Sequence, residues 1–177
     1  MKEFIYADNA ATTKLDIDAF EAMKPFLLEE YGNASQPYSF ARSAKNALKN
    51  ARAQVAECIG ALPEEIYFTS GGTESNNWVI KSSALSDPQK KTLITSQIEH
   101  HALLHSCAAI ERSGYPVVYL PVNSLGEVSA DRLEEALSNN ARLVSIMFSN
   151  NEIGTIQPIK ELAEISHSRR STTTAQR

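Results

Sequence analysis

Short β-prone runs alternate with segments of helical spacing along almost the whole chain, and this alternation leaves few folds open. Ile66-Tyr67-Phe68-Thr69, Thr92-Leu93-Ile94-Thr95, Pro116 to Pro121 and Leu143 to Phe148 read as strands, the last as the most clearly buried. Helices are predicted over Asp16 to about Tyr31, Ser39 to Ile59, the segment after Gly72, His101 to Arg112, Ala130 to Leu137, and from Ile159 to Ile165. Phe20, Met23 and Leu27 share one side of the first helix, with Gly32-Asn33 as its stop. Phe40, Ala44, Leu48, Ala51 and Val55 recur at helical spacing in the second, which Gly60 closes. The pattern predicts an α/β fold: a three-layer, mostly parallel sheet with helices on both faces. The four strands are few for such a sheet, where about six is typical.

In an open α/β sheet, ligands bind beyond the carboxyl ends of the strands, which directs attention to three loops. They are Ser70-Gly71-Gly72-Thr73, Ser96 to His101, and Ser149-Asn150-Asn151-Glu152, all rich in hydrogen-bonding groups. Val122 to Gly126, after the third predicted strand, reads as a plain turn. Two glycines let a backbone approach an anion without a Cβ in the way, and the following helix offers free N–H groups and its positive dipole end. Thr73 adds a hydroxyl donor. The run is neither a Walker loop nor a G-x-G-x-x-G fingerprint, and by itself it reads equally as an ordinary strand-to-helix turn.

His101 and His105 stand one helical turn apart beside His100, a spacing that raises a metal site against solvated or helix-capping histidines. Zinc needs three or four such ligands, and Glu99 points off that face, so no metal is assigned. A flat imidazole at a loop mouth can also stack on an aromatic ring. Asn150-Asn151 reads as an Asx turn, or as one amide reaching into a pocket. Cys58 and Cys107 lie in separate helical segments and read as small buried hydrophobes, not as a disulfide. A formal net charge of -4 leaves no basic stripe for nucleic acid. No run approaches the ~18–20 apolar residues of a membrane helix, and the first residues have no signal-peptide character, which places the chain in the cytoplasm.

Five motifs in this order resemble the N-terminal part of the cysteine desulfurase family, in the class V aminotransferase group. They are Tyr6-Ala7-Asp8-Asn9-Ala10-Ala11-Thr12-Thr13; Tyr31-Gly32-Asn33-Ala34-Ser35 with Ala51-Arg52; Phe68 to Asn76; Glu99-His100; and Asn150 to Pro158. The resemblance implies the large domain, here incomplete, of a fold type I pyridoxal-phosphate enzyme. It implies that Gly72 and Thr73 hold the cofactor phosphate and that His100 stacks on the pyridine ring. Asn151, rather than Asn150, reaches the ring oxygen and the substrate carboxylate. Asn9, Ala10, Ala11 and Thr12 line the substrate entrance. The family reaction takes sulfur from L-cysteine, leaving L-alanine and a persulfide on an enzyme cysteine, for iron–sulfur cluster assembly. Intact relatives are homodimers, and a sulfur-acceptor or scaffold protein is a further implied partner.

The family's Schiff-base lysine, the aspartate beside the pyridine nitrogen and the sulfur-accepting cysteine all lie beyond the asparagine motif, and no residue here matches them by position. Neither Cys58 nor Cys107 occupies such a place, and Lys81 and Lys90 read as surface groups. The expected organisation is residues 1–15 as an N-terminal segment, 16–168 as a partial cofactor-binding domain, and 169–177 as a tail unlike the family. Its adjacent Arg169 and Arg170, with Arg177, read as solvated. The expectation is therefore a shortened or frame-shifted desulfurase-like chain, inactive alone. The alternatives are a noncatalytic module pairing with a full-length relative, or part of a selenocysteine lyase or another class V aminotransferase.

Overall fold

The computed structural model describes residues 5–86, 92–137 and 140–171, with side chains to residue 168. Lys90, Arg177 and the rest of segment 172–177, and the side chains of Arg169 and Arg170, lie outside that description. The chain divides into two compact units, Met1–Phe68 and Thr69–Arg177.

In the first unit, helix α1 (Ile17–Leu28) starts at Asp16, whose carboxylate accepts from the N–H groups of Asp18 at 2.9 Å and Ala19 at 3.2 Å. None of its residues is buried, and Phe20, Met23 and Leu27 are exposed. The periodic stripe is real, but the described residues give it no cover. Gly32 is not the helix stop. It is buried against the next segment, where a Cβ would come within 2.7 Å of the Phe40 carbonyl oxygen. A 3-10 turn (Ser39–Ala41) leads into α2 (Arg42–Ile59), and Gly60 ends that helix in the left-handed conformation at φ 67°. Cys58, expected to be buried, is exposed near this end. Ile66 is extended, but among the described residues Ile66 to Phe68 join no sheet: the Ile66 carbonyl accepts from Arg52 Nε at 3.0 Å, and the Arg52 guanidinium lies 5.5 Å from the centre of the Phe68 ring.

The second unit contains α3 (Gly72–Ser86), β1 (Thr92–Ser96), α4 (His101–Arg112), β2 (Val117–Leu120), α5 (Ala130–Ala136), β3 (Ala141–Ser145) and α6 (Ile159–Ser171). Among the described residues its sheet has three strands in the order β2-β1-β3, all parallel. The predicted fourth strand, Ile66 to Thr69, is absent from it, and β3 ends three residues before Phe148, which is exposed.

Strand register explains the two covered faces. Leu93 pairs with Val117 and Leu143, and this row packs with Ile80 and Ala84 of α3 and Leu103, Cys107 and Ile110 of α4. Ile94 pairs with Val118 and Val144, and that row packs with Leu133 of α5 and Leu162 of α6. Adjacent strand residues point to opposite faces, so a run such as Leu93-Ile94 must be apolar at both positions to bury both layers. The result is the expected three-layer α/β arrangement, with helices on both sides of a parallel sheet.

Candidate functional site

Three loops emerge at the carboxyl edge of this sheet. Helix α3 reaches the same edge by running against the strands. Arg142, the second residue of β3, donates through Nε to the Ser83 carbonyl at 3.2 Å and through Nη2 to Ser86 Oγ at 2.6 Å. This fixes the carboxyl end of α3 at the amino end of the sheet. Fifteen residues at about 1.5 Å each then carry its amino end back to the loops beyond β1 and β3.

The amino end of α3 is open. No acceptor is present among the described residues for the N–H groups of Gly72, Thr73 and Glu74, while Ser75 N–H bonds to the Gly71 carbonyl at 3.2 Å. A Cβ built at Gly71 or Gly72 would meet nothing within 4 Å. The turn is held from within. Glu74 Oε2 accepts from Ser70 N–H at 2.6 Å and Ser70 Oγ at 2.7 Å, and Thr69 Oγ1 lies 2.8 Å from Ser75 Oγ. The Ser70 hydrogen bonds hold the Glu74 carboxyl below the usual carboxylate range. Thr73 is exposed, and its hydroxyl is not engaged by any described residue.

His100 sits at the start of α4. Its Nδ1 accepts from Ala102 N–H at 3.1 Å, so the neutral ring carries its proton on Nε2. The ring is exposed, with His101 at 6.4 Å between centroids; His101 and His105 are 5.9 Å apart. Among the described residues no group of three or more His, Cys, Asp or Glu is placed to hold a metal ion.

The two asparagines differ sharply. Asn150 is buried and saturated. Its Nδ2 donates to the Ile98 carbonyl at 2.9 Å, and its Oδ1 accepts from Glu152 N–H at 2.8 Å and Ile153 N–H at 3.1 Å, closing an Asx turn. Asn151 is exposed, and no described residue hydrogen-bonds its side chain. Thus one amide builds the loop, and the other is exposed and engaged by no described residue.

Sequence reasoning missed two residues that shape this edge. Glu99, set aside as pointing off the histidine face, is 7% exposed. Its Oε1 accepts from Ser96 Oγ and from Met147 N–H, each at 2.8 Å. Burial pushes its carboxyl pKa up, and the hydrogen bonds from Met147 and Ser96 oppose that in part. The Ser-x-x-Glu spacing after a buried strand was the available signal. Gln157 is the other. Its Oε1 accepts from Val128 N–H at 2.9 Å and its Nε2 donates to the Gly126 carbonyl at 2.7 Å, clamping the asparagine loop to the turn after β2. Nothing in the sequence marks Gln157 as buried.

Asn9, Ala10, Ala11 and Thr12 form an exposed turn of the first unit, where Asp8 accepts through its carbonyl from Ala11 N–H at 3.2 Å. Cys107 is fully buried, and burial, followed by the charges of Glu111 and Glu99, pushes its thiol up to about 11. It is a core residue. Among the described residues no helix is long and apolar enough to cross a membrane.

Residues 5–175 match the family model described as Aminotransferase class-V. Over 163 residues the chain is 52% identical to the cysteine desulfurase IscS of Methanosarcina thermophila, covering 92% of this chain and 40% of that protein. In three dimensions it is similar to a NifS-like protein, with a TM-score of 0.89 and 39% identity over 93% of this chain and 45% of that one. It is equally similar to SspA in complex with cysteine, with a TM-score of 0.89 and 40% identity over 93% of this chain and 48% of that one. The chain thus spans less than half the length of the relatives it matches. Class V aminotransferases depend on pyridoxal phosphate, and the donor set fits part of that group: free helix-end N–H groups and a hydroxyl for a phosphate, a flat imidazole and an amide for a ring.

Proposed function

The chain belongs to the class V aminotransferase family, and from that premise we propose that it carries the phosphate- and ring-holding part of a pyridoxal-phosphate site of the cysteine desulfurase type. The observation that carries this reading is the exposure of three kinds of group on the loops at one sheet edge: the unbonded N–H groups of Gly72 and Thr73, the His100 ring, and the Asn151 amide.

When bound, pyridoxal phosphate supplies an electron sink for a carbanion next to an amino group. The residues of this chain have simpler tasks. Gly72 and Thr73 bind the phosphate through backbone N–H groups, with the α3 dipole and the Thr73 hydroxyl adding to the attraction. Two glycines keep Cβ atoms from the path of the anion. His100, its Nδ1 engaged by Ala102 N–H, offers a ring of fixed tautomer for stacking and an Nε2–H for donation. Asn151 donates or accepts through its amide toward a ring oxygen or a substrate carboxylate.

L-cysteine is the substrate in this reading, supported by the similarity to SspA in complex with cysteine. The lysine, aspartate and cysteine that complete such a site match no position here, so the part assigned to these residues is holding the cofactor. Residues 169–177 stay outside this assignment, although α6 continues to Ser171. A second copy, a sulfur-accepting protein and a cytoplasmic setting belong to the same reading. A second reading, a noncatalytic module that pairs with a longer relative, draws on the exposure of Phe148, Ile153 and Ile156 beside the site.

Equilibrium dialysis with pyridoxal phosphate tests the main reading. One saturable site is expected, competed by inorganic phosphate and weakened at least ~10-fold by Thr73→Ala. Absence of saturable binding, or binding that phosphate does not compete, would sink it. Co-purification with a longer relative, without cofactor binding, would favour the pairing module.

A further inference from the structure

Two buried polar side chains at the carboxyl edge are used by none of the ligand-holding roles above. Glu99, attached to the loop after β1, reaches across to the backbone of Met147, beyond β3. Asn150, attached to the loop after β3, reaches back to the Ile98 carbonyl. The two ties run in opposite directions between the same pair of loops. A third, Thr95 Oγ1 to the Ser145 carbonyl at 2.8 Å, joins the strand ends just below them. Each brace residue is also the immediate neighbour of a ligand-facing one: Glu99 precedes His100, and Asn150 precedes Asn151.

We infer that Glu99 and Asn150 are positioning residues that lock the His100 loop and the Asn151 loop into a single mutual placement. His100 is held from its other side by its bond to Ala102 N–H, and the residues after Asn151 by the bonds of Glu152 and Ile153 to Asn150 Oδ1. A shift of one loop is therefore carried to the other. Spending a buried carboxylate on this tie costs solvation, and a residue needed merely to end a strand would not require it. The benefit is precision, since a stacking ring and an amide act on one ligand only when their separation is fixed. The ligand rests on the pyridoxal-phosphate reading, but the lock itself does not.

Amide hydrogen exchange on the ligand-free chain, read by NMR, tests the lock directly. In E99A, the amides of Glu152 and Ile153 on the opposite loop exchange at least ~10-fold faster, beyond the direct effect at Met147. In N150A, the Ala102 amide on the other loop accelerates to a similar degree. E99Q, which keeps an oxygen acceptor for Met147 and Ser96, stays within about threefold of the parent. Ser75, bonded to Gly71 away from the brace, is unchanged in all three. If E99A does not fold, the N150A and E99Q arms decide. Acceleration confined to each variant's own loop, or a general acceleration that includes Ser75, overturns the proposal. Binding adds a separate readout: E99A lowers affinity for pyridoxal phosphate about tenfold and leaves inorganic phosphate affinity unchanged. Equal loss for both ligands also overturns it. A parent chain that binds no pyridoxal phosphate refutes the cofactor reading, while the exchange arms still decide the lock.

Discussion

Arg142 and Ser83 meet at 3.2 Å, guanidinium to carbonyl, and this bond joins the amino end of β3 to the carboxyl end of α3. A cation at that helix end complements its dipole and satisfies a terminal carbonyl. Arg142→Ala is expected to lower stability by about 1 kcal/mol in urea unfolding. The open amino end of α3 lies about 20 Å away along the helix, so phosphate affinity should be unchanged. A variant that loses phosphate binding while keeping its stability would contradict this arrangement.

The cysteines separate by accessibility. Cys107 is fully buried with its thiol pushed up to about 11, whereas Cys58 is exposed. Under native conditions at mildly alkaline pH, a thiol reagent should label Cys58 alone, and Cys107 should react after denaturation. Rapid labelling of both in the folded protein would mean that the α3–α4 face of the sheet opens.

Glu99 gives a pH dependence of definite sign. Its folded pKa is raised above 4.5, chiefly by burial, so the folded chain holds the proton more tightly than the unfolded chain. The contribution of the protonated form is fully present below the unfolded value and is lost as pH rises through the folded one. Relative to E99Q, which carries no charge, the parent should therefore gain stability as pH falls from neutrality toward about 4.5. Urea midpoints for the pair across that range check it; a constant difference would show that Glu99 does not titrate there.

Gly126 has φ 81°, and a Cβ there would stand 2.6 Å from Ile153 Cδ1 and 3.1 Å from Thr155 Oγ1. Gly126→Ala should cost at least about 1 kcal/mol through backbone strain and crowding. Adding Ile153→Ala should return the crowding part and leave the backbone part. If the double variant recovers nothing by thermal unfolding, the collision with Ile153 is not the cause.

The periodicity of the sequence revealed the helices and the parallel sheet because those signals are local. Leu93-Ile94, apolar at successive positions, already requires cover on both faces, and α4 begins and ends where its spacing predicts. Ile66 to Thr69 shows the limit: β-propensity marks a segment that can be extended, but pairing needs a neighbour at the right distance, and Arg52 takes the Ile66 carbonyl instead. The stripe of Phe20, Met23 and Leu27 on α1 makes the same point, since an apolar stripe states a need for cover and not its presence. At the site, glycines and histidines are visible as residue types. The roles of Glu99 and Gln157 depend on partners tens of residues away, Met147 and Val128, which no local pattern reports.

The unequal duties of Asn150 and Asn151 bear on the length of the connection beyond β3. Delete one residue between Ser145 and Asn150, and Asn151 arrives where the Ile98 carbonyl waits, while Glu152 takes the open position and puts a negative charge where the proposed site has an amide for a ring oxygen or a substrate carboxylate. Insert one instead, and Ser149 occupies the buried place, too short to span the gap, while an asparagine still takes the open position. Composition is nearly preserved in both cases, yet the first error damages recognition and the second damages the framework. Counting residues in this connection therefore says more about whether a related chain keeps the site than noting that it retains an asparagine pair.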